Sequence, residues 1–128
     1  MTAMSDYLEV ALLNHVFRAT PYTAPTTIYV ALFSVATTDA GGGTELAGGS
    51  YARQSSTYVA PTSGIGKISN AAVLTFSNLT AGTVVGVGTF DALTLGNLLM
   101  YGPLTAQRTV VAGDNLTFAI GDLALYFG

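Results

Sequence analysis

Along "SDYLEVALLNHVFRAT", residues 5–20, apolar positions recur at helical spacing. Leu8, Leu12 and Val16 lie four apart, and Leu13 and Phe17 repeat that interval one residue over. The pattern predicts one helix over about residues 5–19 with a wide apolar face. Ser5 or Asp6 can cap its start by accepting from exposed backbone N–H groups. Asp6 and Glu9 sit where the helix dipole favours negative charge, and Arg18 sits at the opposite end. Pro21 cannot continue the helix, which places its end near Ala19 or Thr20.

After Pro25 the period changes. "TTIYVALFS" is β-branched, aromatic and nearly continuous in apolar character, as in a strand covered on both faces. "DAGGGTELAGGS" follows as a glycine-rich loop, with Gly41–Gly43 expected to be mobile or pinned by a partner. In "SYARQSSTYVA", Tyr51, Arg53, Ser55 and Thr57 alternate with Ala52, Gln54, Ser56 and Tyr58. "ISNAAVLTFS" supplies one further strand, with Val73 and Thr75 opposite Leu74 and Phe76. "TVVGVGTFDAL" supplies another, with Val85, Val87 and Thr89 on one face and Gly86, Gly88 and Phe90 on the other. Glycines inside a strand mark a bulge or a close approach of neighbouring atoms. "NLLMYGPL", "RTVVAG", "NLTFAIG" and "DLALYFG" complete a series of about seven or eight short strands at the spacing of a sandwich or barrel. The βαβ alternation of a parallel fold is absent. The predicted architecture is mainly β: one domain over residues 1–128, an antiparallel β-sandwich of jelly-roll type with a single N-terminal helix.

Composition narrows the functional classes. Of 128 residues, half are hydrophobic and 9% are charged, against roughly 25% charged in ordinary soluble domains. The surface is therefore expected to meet other protein, the alternative being a neutral surface of Thr, Ser and Gly. Arg18, Arg53, Lys67 and Arg108 are scattered and the net charge is −3, which argues against phosphate-driven nucleic-acid binding. No apolar stretch reaches the ~18 residues of a membrane span. The start of the chain lacks a basic region followed by an apolar run, so no secretion signal is expected.

Catalytic chemistry finds few residues to work with. With one histidine, His15, and no cysteine, zinc sites and Cys–His catalysis have no ligand set, and no G-x-S-x-G elbow supports a serine nucleophile. The acids at Gly113-Asp114 and Gly121-Asp122 are spaced like a carboxylate pair. Each also falls between strand-like segments, where Gly and Asp serve a hairpin turn. The turn reading is preferred because a calcium site needs more oxygen ligands nearby. A glycosidase pair is the alternative, although the chain has no tryptophan for sugar stacking. No enzyme activity, cofactor or metal is expected.

"MSDYLEVALLNHVFRATPYTAPTTIYVALFSVATTDAG" resembles the opening of a group of small tailed-bacteriophage proteins. "GGSYARQ", "FDA…GNLLMYGPLT" and "VAGDNLTFAIGDL" are similar to later pieces of that group, in the same order. Some members carry the label of tail fibre protein, and others look like capsid cement (decoration) proteins that clamp neighbouring major capsid subunits from outside. The resemblance implies a virion structural role with no active site. The role expected here is a cement protein made in the host cytoplasm and bound to the capsid exterior, because the chain lacks the length and repeats of a fibre shaft. A tail, tail-tip or fibre component, or a carbohydrate-binding β-sandwich of the virion, are the alternatives. The expected partners are the major capsid protein and further copies of the chain, as a homodimer or homotrimer, and not nucleic acid or membrane. The expected contact elements are the helix, through Leu8, Leu12, His15, Val16 and Arg18, and the glycine loop, through Gly41, Gly42, Gly43 and Leu46. The helix could instead cap the core, and the loop could be a free surface loop.

Overall fold

Ser5 starts the helix and ties it to the sheet. In the computed structural model, which describes residues 3–61 and 64–126, α1 spans Asp6–Phe17 with Ser5 as its N-cap. Ser5 Oγ accepts from Leu8 N at 3.2 Å and donates to Leu98 O, while Ser5 N donates to Leu99 O at 2.8 Å. Arg18 N and Thr20 N both return to Asn14 O, with Ala19 in the left-handed region between them. That closes the helix just before Pro21, where the sequence stops it.

The apolar run after Pro25 becomes β2 (Ile28–Val35), which lies inside the main sheet. One side of it pairs with β7 (Gly82–Phe90). The other side pairs with β3 (Thr44–Glu45) at one end and β4 (Gln54–Ser56) at the other. Beyond β7 come β8 (Leu98–Val110) and then β1 (Ala3–Met4). Every pairing is antiparallel. Two short ladders complete the β structure: β5 (Lys67–Ser69) with β10 (Ala124–Tyr126), and β6 (Leu74–Phe76) with β9 (Leu116–Phe118).

Packing follows the alternation of β2. Val30 and Leu32, both 0% exposed, join Val84, Val87 and Val110 in a core shared with Leu74, Phe76, Leu116 and Phe118 of the β6–β9 ladder. Phe76 meets Phe118 edge-on and stacks on Tyr51. A second cluster joins Leu8 of α1 to Leu99, Met100 and Leu125, with Met4, Leu12, Tyr58 and Ile68 packed against it. The fold is mainly β, antiparallel, with one helix near the N-terminus among the described residues. Gly88 shows what its glycine is for: a Cβ there would stand 2.9 Å from Leu98 Cδ1 and 3.0 Å from Phe33 Cε2.

Four local expectations are corrected. "NLLMYGPL" and "RTVVAG" form one strand, β8, because Pro103 falls opposite Gly86, where the register shifts and a missing N–H is tolerated. The same shift resets β7, so Val84 shares the core with Val87 while Val85 is half-buried. "ISNAAVLTFS" breaks into β5 and β6 at Asn70, which is 0% exposed. Its amide donates to Ala72 O and Ala119 O and accepts from Leu123 N, all at 2.9 Å, so the polar side chain replaces strand pairing at this corner. Finally, extended pairing in "SYARQSSTYVA" is limited to β4 and an isolated bridge at Tyr58. Tyr51 therefore packs toward Phe76 while Arg53 covers Phe90.

Candidate protein interface

The apolar residues of α1 divide between two faces. At about 100° per residue, Leu8 and Leu12 lie on one side, Val10, Leu13 and Phe17 lie about 120–180° away, and Val16 falls between the two sets. Leu8 is buried and Leu12 packs beside it. Val10 and Leu13 are each 58% exposed, Val16 64% and Phe17 78%. The wide face expected from sequence is thus half covered by β8 and half open. A helix that is apolar on all sides is normally buried on all sides.

The remaining helix candidates are local. His15 Nδ1 accepts from Tyr22 N at 3.1 Å, which holds the chain as it leaves the helix. Arg18 is exposed, and its Nη1 donates to Asn14 Oδ1 at 3.1 Å.

The glycine loop is held by the protein itself. Gly41 N donates to Thr38 O at 2.9 Å, and Thr38 Oγ1 donates back to Gly41 O at 2.7 Å. Asp6 N donates to Asp39 O at 2.9 Å, and the Tyr101 hydroxyl donates to Asp39 Oδ1. These bonds join the loop to the helix start and to β8. The loop continues into β3, and Leu46, half-buried, packs on the main core. Gly41, Gly42 and Gly43, together with Ser5 and Asp6, wall an open groove of about 600 Å³ that reaches Phe33 and Phe90. The structure thus brings the glycine loop beside the first turn of α1. It leaves Val16 and Arg18 at the other end of the helix, outside this groove.

Arg53, which sequence reading left in a strand, organises one side of that groove. Its Nε and Nη2 each donate to Glu45 at 2.9 Å. Its Nη1 donates to Ala92 O at 2.9 Å and to Leu95 O at 2.7 Å, and the guanidinium lies 3.7 Å from the Phe90 ring centre. Tyr51 completes the group: its hydroxyl donates to Glu45 Oε1 at 2.8 Å and accepts from Leu32 N. Burial pushes the Tyr51 phenol far above its usual value. The alternation of Tyr51 and Arg53 was visible in the sequence, but their shared partner Glu45 lies across a loop.

The spaced carboxylates close turns. Asp114 Oδ2 accepts from Val111 N at 2.9 Å, and Asp122 Oδ2 accepts from Ala119 N at 2.9 Å. The preceding glycines supply the left-handed backbone, with φ +92° at Gly113 and +87° at Gly121. Neither turn makes the expected hairpin, because β8, β9 and β10 pair with β7, β6 and β5 rather than with one another. Among the described residues, no group of three or more His, Asp or Glu could hold a metal ion. Among them too, no helix is long and apolar enough to cross a membrane.

A family model described as "Podophage GP4 fiber I protein gp80" matches residues 3–126. No curated protein matches the chain.

Proposed function

The chain belongs to the podophage GP4 fiber I protein gp80 family, and from that membership we propose that it serves the virion as a docking component of the fibre apparatus. At the coarser level it is a phage virion structural protein. The observation that carries the finer reading is the family match, which spans nearly the whole chain. The apolar stripe of α1 supports a role exercised through protein contact, because such a surface is covered in working assemblies. The reading is non-catalytic: Asp114 and Asp122 are each engaged by backbone N–H groups of their own turns.

Capsid cement is the second reading. It is favoured by the form of the domain, a two-layer β structure with one helix and no repeated shaft-like unit among the described residues. The two readings place the molecule differently. Cryo-electron microscopy of the intact particle, with this chain traced in the map, is the test. Density in a fibre or at its attachment upholds the fibre reading. Density confined to the outer capsid lattice overturns it in favour of cement.

A further inference from the structure

We propose that the groove between the glycine loop and the first turn of α1 is a docking site for an arginine-bearing, extended segment of a partner protein. This names the chemistry of a partner for the docking role above and rests on that role being exercised through protein contact.

The groove already holds one guanidinium, the protein's own. Arg53 lies 3.7 Å from the Phe90 ring centre, with Nε donating to Glu45 Oε1 and Nη2 to Glu45 Oε2, each at 2.9 Å. Arginine is planar and weakly hydrated, which suits it to join an aromatic face to a carboxylate in this way. The same parts recur in the rest of the groove without a cation. Phe33 stacks on Phe90 with ring centres 6.3 Å apart and extends the apolar floor. Asp6 and Asp39 add two more carboxylates to the lining.

Charge fixes the sign of the occupant. Glu45 is answered by Arg53, whereas Asp6 and Asp39 form no ion pair among the described residues. These acids act together: the Tyr101 phenol is held up by its bond to Asp39, then by burial, and the charges of Asp39, Asp6 and Glu9 add to the effect. The helix start does not reverse that sign. Asp6 N is spent on Asp39 O and Leu8 N on Ser5 Oγ, so two of the donors that would receive an anion at a helix N-terminus are engaged. A positive group is complementary to what remains.

Shape fixes its form. The space is an open groove of about 600 Å³, and a Cβ at Gly41 or Gly42 would meet nothing within 4 Å. Nothing of the protein's own therefore stands over that wall. A chain laid across it keeps its backbone in water and lowers one side chain, with the stem on the apolar floor and the head toward Asp6 and Asp39. One such contact binds weakly, with a dissociation constant on the order of 1 mM for a short peptide. Many copies in one particle strengthen it.

Nuclear magnetic resonance titration of the whole chain tests the idea. The probe is a short serine–glycine peptide with one central arginine, and the control carries citrulline, its neutral isostere. The arginine peptide is expected to shift the amides of Gly41, Gly42, Gly96 and Asn97 and to leave those of Leu13 and Phe17 in place. The citrulline peptide should bind at least about fivefold more weakly. Asp6→Asn with Asp39→Asn, which keeps an acceptor for Tyr101, should weaken the arginine peptide by a similar factor with unchanged circular dichroism. On the wild type, raising sodium chloride from about 0.1 M to about 1 M shortens the Debye length from about 10 Å to about 3 Å and should weaken binding at least about threefold. No shift at about 10 mM peptide, equal binding of the two peptides, or insensitivity to salt overturns the proposal. So do the same shifts produced by calcium chloride alone. The particle map judges the fibre reading separately: a peptide that fails here removes the groove and leaves that reading standing, and density on the capsid removes that reading and leaves the groove. In either location the map is expected to place a neighbouring protein's arginine within about 4 Å of Asp6 or Asp39.

Discussion

Replacing Arg53 by Met keeps an unbranched side chain over Phe90 and deletes the guanidinium. Four hydrogen bonds disappear: two to Glu45, one to Ala92 O and one to Leu95 O. The arginine side chain is 8% exposed and that of Glu45 27%. Breaking a buried pair by removing one partner costs about 3–5 kcal/mol, because the other charge is stranded. Here Glu45 keeps the Tyr51 hydroxyl and partial access to water, which lowers the expected cost to about 3 kcal/mol. Against a total stability of about 5–15 kcal/mol, that is a large fraction.

The assay is urea unfolding followed by circular dichroism, run as a double-mutant cycle with Glu45→Gln. The coupling between the two sites is expected at about 1.5 kcal/mol or more, since the pair shares two charge-assisted bonds. Limited proteolysis supplies a second readout. Without the anchors on Ala92 O and Leu95 O, cleavage between Leu93 and Gly96 should accelerate before global unfolding does. A loss below about 1 kcal/mol would place Arg53–Glu45 with ordinary surface ion pairs. Unchanged cleavage would mean that the loop is held by Asp91, which accepts from Asn97 N and Nδ2 at 2.7 and 2.8 Å.

Gly88→Ala should destabilise by about 1–3 kcal/mol, because its Cβ enters space held by Leu98 and Phe33; an unfolding midpoint within error of wild type would refute that packing. Asp114→Ala and Asp122→Ala should each cost about 0.5–2 kcal/mol, as lost side-chain caps do. The Asn variants, which keep an acceptor, should cost less, and a glycan-binding signal lost in both Asn variants would restore the carboxylate-site reading. Alkaline pH should weaken the fold. Burial raises the Tyr51 and Tyr58 phenols, and the bond to Asp39, then burial, holds Tyr101 up at about 12 against the usual 10.0. The unfolded chain therefore gives up these protons first, so their contribution is whole below about pH 10 and is lost as pH climbs toward 12. Urea midpoints measured with tyrosinate absorbance check this, and a flat midpoint through about pH 11.5 would contradict it.

Elements whose evidence is local were legible in the sequence. The helix boundaries follow from Ser5 and Pro21, and the buried course of β2 follows from its apolar run. What escaped depends on residues far apart in the chain. "NLLMYGPL", which holds Pro103, and "RTVVAG" read as two strands until Gly86 is known to lie opposite Pro103 at a register shift. Asn70 reads as part of one continuous strand, "ISNAAVLTFS", until Ala119 and Leu123 arrive about fifty residues later. Glycine content alone predicts that Gly41–Gly43 are mobile or pinned by a partner, whereas Thr38, Asp39 and Tyr101 of the same chain fasten the loop. The two faces of α1 are a different case. The spacing placed Leu8 and Phe17 about 180° apart, so two faces were present in the pattern. What it could not supply was which of them β8 would cover.

The few cations bear on how this protein meets its partners. Arg53 is committed to Glu45 and Phe90. Arg108 lies 5.7 Å from the Phe118 ring centre, Lys67 Nζ lies 5.3 Å from that of Tyr126, and Arg18 bonds Asn14. The four therefore form no shared basic patch that could steer an acidic partner. Protein contact through the open side of α1 therefore rests on Val10, Leu13 and Phe17, which are 58%, 58% and 78% exposed and whose burial is not screened by salt.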